Sequence, residues 1–251
     1  MKSASVQIIG IDCAADPKNV GLAMGVYTEG KARLQQLAVG KKEDLLVKQV
    51  TDWMAGASTV LLALDAPLGW PEQMGELLAP HYAGEAIKVE ANNFFRRTTD
   101  KWVKRNLDRQ PLDVGADRIA RTALAALTML DALRKSTHVP VPLAWSTDDL
   151  AQAQAIEVYP AGTLKARGLP DHGYKEKGQE SQRNKIIRGL EEHLTIACDV
   201  EPMREDADVL DAAVCVLAGA DFLNGTAQRP PPEEIEIAKK EGWIWVAKGC
   251  G

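Results

Sequence analysis

Four apolar runs in this chain each end in or carry a carboxylate, and that pattern constrains the fold more than any other feature. Residues 6–12 read VQIIGID, 58–65 read STVLLALD, 153–157 read AQAIE, and Asp208 opens the run DVLDAAVCVLAGA at 208–220. Continuously apolar strands are normally covered on both faces, and an ionised carboxylate is costly to desolvate unless opposite charge compensates it. If these ends lie together, the simplest compensating partner is a divalent metal held by oxygen ligands. The candidate residues are Asp12, Asp65, Glu157, Asp208 and Asp211.

The rest of the pattern orders these runs. The DPKN turn at 16–19 leads to a second run, VGLAMGVY, and the Glu29-Gly30 turn to a third strand over about 32–39. Glu43 to Met54 carries Leu46, Val50, Trp53 and Met54 at helical spacing. Residues 59–64 then form a fourth, interior strand. About 90 residues follow before the next convincing strand near 155–159, too many for a simple crossover. That stretch reads as an insertion over 66–154, with a helix from Asp117 to Arg134 and an extended HVPVPL at 138–143. Helices holding Leu164, then Ile186 to Leu194, follow. A helix over about 206–222 is apolar nearly all round and should be buried. The tail from 230 to 251 is expected to pack on the core, with Trp243-Ile244-Trp245 as a possible contact surface for a second chain.

Length and composition fit one α/β domain over 1–251: 45% hydrophobic content supports a sizeable core. The net charge of −5 gives no whole-molecule attraction to nucleic acid or to an anionic membrane, so any such attraction must be local. No apolar run approaches the ~18 residues of a membrane span, and no basic leader precedes VQIIGI, so the chain reads as cytoplasmic. Cys13, Cys198, Cys215 and Cys250 lack metal or disulfide spacing, and the four histidines are dispersed.

Three antiparallel strands, a helix, then strands alternating with helices is the element order of the RNase H-like fold. The blocks IGIDCA with NVGLA, LDAPLGWP, FRRTTD, EVYPAGTLKARGL, GYK and DVLDAAVCVLAGA resemble those of the domain-of-unknown-function family 429, over about residues 6–246. The resemblance implies an α/β RNase H-like fold with acidic residues on the first strand, the fourth strand and the last helix. It also implies a metal-dependent nuclease as the predicted activity.

Phosphodiester hydrolysis suits such a set: two Mg²⁺ or Mn²⁺ ions held by carboxylates activate water and neutralise the leaving oxygen. Asp12 is then expected to bridge the ions and Asp65 to hold one of them. Asp211 or Asp208 would complete the second position, and Glu157 would serve as a further ligand or base. Asp208 is equally readable as a helix N-terminal residue favoured by the dipole. For substrate, Arg96, Arg97, Lys101, Lys104, Arg105 and Arg109, against Asp100 and Asp108, form a basic stretch interleaved with Phe94, Phe95 and Trp102, suited to phosphate contact and base stacking. Arg97 and Asp100 are alternatively a pair that fixes the loop. Lys175 leads a second basic cluster, whose far end reads as solvated surface. The expected partner is nucleic acid or a small phosphorylated ligand. Two other readings stand beside a nuclease: a non-catalytic binding module of the same fold, and a phosphotransferase related to actin-like kinases. The loop IGIDCAADPKNVGLA resembles the nucleotide loop of those kinases only loosely, and a GxxxxGK[ST] stretch is lacking.

Overall fold

The computed structural model describes residues 5–115, 117–148 and 150–248. Cys250 lies outside them. Three strands open the chain, β1 (Val6–Asp12), β2 (Gly21–Thr28) and β3 (Lys31–Val39), with a short 3₁₀ turn at Pro17–Asn19 between the first two. Helix α1 (Glu43–Met54) leads to β4 (Val60–Asp65), and its buried residues are the predicted stripe Leu46, Val50, Trp53 and Met54. The insertion holds α2 (Glu72–Leu78), α3 (Ala91–Phe95), α4 (Thr98–Leu107) and α5 (Asp117–Thr137). After β5 (Ala153–Glu157) come α6 (Pro160–Ala166), α7 (Glu180–Glu191), β6 (Leu194–Ile196), α8 (Glu201–Glu205), α9 (Ala207–Leu223) and α10 (Ile235–Glu241).

The sheet order is β5-β4-β1-β2-β3-β6. Strands β1, β2 and β3 are antiparallel, while β4 runs parallel to β1, β5 parallel to β4, and β6 parallel to β3. This is the strand order of the RNase H-like fold expected from the sequence, extended by β6 at the β3 edge. The three-residue β6 carried too little apolar pattern to be expected.

Strand periodicity divides the core. Ile8, Leu61, Ala63 and Ile156 pack on one face against α9, whose residues 209–222 are all buried. Ile9, Ile11, Leu62 and Leu64 pack on the other face against α1 and α5. Asp12 shares the parity of Ile8 and Gly10, and Asp65 that of Leu61 and Ala63, so both carboxylates face α9. Asp12 and Asp65 are register partners.

Helix α9 lies very close to the sheet because two glycines admit it. A Cβ on Gly10 would stand 2.1 Å from the Ala212 carbonyl oxygen, and one on Gly21 only 1.9 Å from that of Asp208. Two residues along β1 span roughly 6.8 Å, near the 5.4 Å of one helical turn. The step from Gly10 to Asp12 therefore matches the step from Cys215 back to Asp211. Gly10→Ala should push helix and sheet apart and cost about 1–3 kcal/mol, as overpacked cores do. A urea denaturation midpoint unchanged by this substitution would contradict the close approach.

The tail does not offer the contact surface that its tryptophans suggest. Trp243, Ile244 and Trp245 are 1%, 2% and 3% exposed. The Trp245 amide donates to the Glu157 carbonyl at 2.9 Å, and the Trp243 indole N–H donates to the Gln228 carbonyl at 2.9 Å. Apolar rings whose N–H groups have internal acceptors are best satisfied inside. Among the described residues, no helix is long and apolar enough to cross a membrane.

Candidate metal centre

Asp12, Asp65 and Asp211 each bring a carboxylate oxygen to within 4.8 Å of the others. Two come from the adjacent C-terminal ends of β1 and β4, the third from α9. Asp12 and Asp211 are buried and Asp65 is half-buried. Tyr174 donates its hydroxyl to Asp211 Oδ1 at 2.7 Å, while Asp211 Oδ2 pairs with the Lys175 ammonium. Burial and the adjacent Asp211 raise the Tyr174 phenol, so it stays a donor. Tyr174 was not singled out in the sequence, although it sits inside the GYK block.

Like charges crowded out of water favour protons. Desolvation, then Asp211, pushes Asp12 well above the usual carboxylate range, while Lys175 pulls the other way. Desolvation takes Asp65 up to about 7 against the opposing pull of Lys175, with Asp211 adding to the rise. Desolvation disfavours the Lys175 ammonium, but Asp211, Asp12 and Asp65 outweigh it and raise that group.

A stability effect follows. Folded Asp65 holds a proton to about pH 7, whereas its ordinary value is 3.8. A raised folded value stabilises fully below the unfolded one and loses that contribution as pH rises through the folded one. In chelator, the melting temperature should therefore fall between about pH 4 and 7, and Asp65→Asn should flatten the fall. His193, lowered by burial and then by Arg167, works oppositely as pH falls below 6.5, so the wild-type minus Asp65→Asn difference is the quantity to measure by calorimetry. A difference that grows with pH in the other direction would contradict the crowding.

Asp208 and Glu157 adjoin the triad without entering it, Asp208 against Asp12 and Glu157 in the wall of the same cleft. Asp208 sits half-buried in the first turn of α9, outside the triad, while Asp206 caps that helix by accepting from the Asp208 amide at 2.8 Å. Desolvation and then Asp206 raise the Asp208 carboxyl. Glu157, expected as a ligand or base, pairs with Leu64 in register and lines the same cleft as Asp12 and Asp65, but its carboxylate is turned to a cation of the chain itself. Arg97 Nη2 donates to its Oε1 at 2.7 Å, Arg97 Nη1 to its Oε2 at 2.8 Å, and the Leu68 amide to Oε2 at 3.0 Å.

Arg97 and Asp100 are likewise corrected from substrate contacts. They are 1% and 0% exposed and pair with each other at 2.9 Å, so the loop-fixing alternative describes them. Arg96 pairs with Asp113 at 2.9 Å, and Lys101 donates to Asn93 at 2.9 Å. Arg105 is exposed and, among the described residues, makes no ion pair. None of these last three lines the space beside the triad.

That space is a cleft of 430 Å³ whose lining includes Asp12, Asp65, Lys175, Arg109, Tyr159 and Leu112. Arg109 Nη2 donates to the Asp171 carbonyl at 3.0 Å while its side chain stays partly exposed. It closes the basic stretch noted in the sequence. Leu112 is 68% exposed at the cleft. Cys13, Cys198 and Cys215 are free thiols, and Cys215 is buried in α9 as expected.

Among solved structures, a chain of T. thermophilus RuvC in complex with a Holliday junction substrate aligns at 12% identity and a TM-score of 0.33. The alignment covers 86% of this chain and 94% of that one, a likeness too distant to bear on activity. No curated protein matches the chain. The model of the family described as protein of unknown function (DUF429) matches residues 10–236, and with the blocks around Asp12, Asp65, Tyr174 and Asp211 inside that span, the chain belongs to the DUF429 family.

Proposed function

We propose that this chain is a metal-dependent phosphodiesterase that cleaves nucleic acid in the cytoplasm. The observation that carries the reading is the meeting of Asp12, Asp65 and Asp211 within 4.8 Å from three separate elements. These residues fit a hard divalent cation: all donors are carboxylate oxygens, suited to Mg²⁺ or Mn²⁺. Such a cation, when bound, makes water nucleophilic near neutral pH and neutralises phosphate and leaving-group charge.

The chain's own residues supply the rest. Tyr174 holds Asp211 in orientation through its 2.7 Å hydrogen bond. Lys175 and Arg109, both lining the cleft, offer positive charge to phosphate oxygens, and Tyr159 and Leu112 offer apolar surface to a sugar or base. Local charge of this kind is required because the chain as a whole is acidic. The insertion over 66–154 belongs to the same unit, since it contributes Arg109 and Leu112 to the wall of the cleft.

The test is cleavage by purified protein with Mn²⁺ of single-stranded, duplex, hybrid and branched substrates, alongside bis(p-nitrophenyl) phosphate as a small phosphodiester. Cleavage that chelator abolishes supports the reading. An uncut panel with Mn²⁺ still raising the melting temperature would instead favour a binding module that uses the metal for structure.

A further inference from the structure

Resting on that reading of the triad, we infer that the centre takes a single divalent ion, bound between Asp12 and Asp65, with the Lys175 ammonium standing permanently in the second cation position beside Asp211. The two-ion arrangement expected from the sequence needs more carboxylate than the structure makes available. Glu157 lines the same cleft, but both of its oxygens are engaged by Arg97. Asp208 touches Asp12 but is not one of the three carboxylates that meet within 4.8 Å. One oxygen of Asp211 accepts from Tyr174, and the other faces Lys175.

Charge allows the same count. Asp12, Asp65 and Asp211 bring three negative charges, Asp208 beside Asp12 a fourth and Lys175 one positive, a net of minus three that one divalent ion reduces to minus one. A second ion would leave the pocket net positive and place a divalent charge against an ammonium, a repulsion that is large away from bulk water. Lys175 is well placed to remain: Tyr174 is 2% exposed and anchored to Asp211, so the residue next to it is held at the triad. Its side chain is 51% exposed and lines the cleft, so the ammonium can meet a substrate phosphate without leaving the carboxylates.

Stoichiometry tests this without any activity measurement. Calorimetric titration and electron paramagnetic resonance with Mn²⁺ should show one ion per wild-type chain and no spin-coupled pair. Lys175→Met, which keeps the stem and removes the charge, should admit a second Mn²⁺ and yield a coupled-pair signal. Lys175→Arg should stay at one, and it keeps the test usable if Lys175→Met does not fold. Two ions in the wild type, or one ion in a folded Lys175→Met, would overturn the inference while leaving a metal-dependent enzyme standing. No Mn²⁺ bound to the wild type at all would overturn the metal reading along with it.

Discussion

Asp12→Asn is expected to abolish both metal-dependent phosphodiester cleavage and the rise in melting temperature on adding Mn²⁺, while making the metal-free protein more stable. The opposite signs come from one cause. Asp12 is 7% exposed, and its charge is disfavoured by desolvation and by Asp211. An amide of the same shape removes that unfavourable charge, so in chelator the melting temperature should rise by a few degrees for each kcal/mol recovered. A carboxamide is a poor ligand for a hard cation, so the Mn²⁺-induced stabilisation should disappear. Several kcal/mol of charge stabilisation lost from the transition state corresponds to a fall in cleavage of about 10³-fold or more. Paired calorimetry with and without Mn²⁺, with cleavage assayed on the same preparations, checks all three. A mutant that still gains the full Mn²⁺ shift would place the cation away from β1.

The backbone of this arrangement was legible because it is written in periodicity. The apolar run before Asp12, the stripe Leu46–Val50–Trp53–Met54 and the all-apolar helix around Asp211 each specify an element and its covered faces, and the structure has all three. Of the site, Asp12, Asp65 and Asp211 were readable because a carboxylate after an apolar run has few inexpensive explanations. Glu157 satisfied the same rule and lines the same cleft, but its charge is taken up by Arg97, 60 residues away in sequence, a pairing that local sequence does not reveal.

The basic stretch misled for a related reason. Composition showed Arg96, Arg97, Lys101 and Arg105 but not their partners, and Asp113, Asn93 and Glu157 are distant in sequence or outside the cluster. Tyr174 went unnoticed as a site residue because a lone tyrosine in a loop carries no periodic signal. Only the folded loop shows the Tyr174 hydroxyl reaching α9.

Arg97→Met is expected to be the most destabilising single substitution near the site without touching metal binding. Arg97 joins Asp100 of α4 to Glu157 of β5, and its Nη1 also donates to the Glu241 carbonyl at 3.2 Å. Glu241 in turn accepts from the Glu72 amide at 2.8 Å and the Thr98 amide at 2.7 Å, tying the N-termini of α2 and α4 to α10. Removing the guanidinium leaves two buried carboxylates uncompensated. Breaking a buried pair in this way costs about 3–5 kcal/mol, and at roughly 2–4 °C per kcal/mol for a chain of this size the melting temperature should drop by on the order of 10 °C. Arg97→Lys should not rescue it, because one ammonium cannot serve both carboxylates in the fork geometry seen here. Adding Glu157→Gln to Arg97→Met should recover part of the loss, since contacting residues are not additive. Throughout this series the Mn²⁺-induced shift should persist in every variant that folds. If Glu157→Gln alone erased that shift, Glu157 would be a metal ligand after all, and its reading as the partner of Arg97 alone would have to be abandoned.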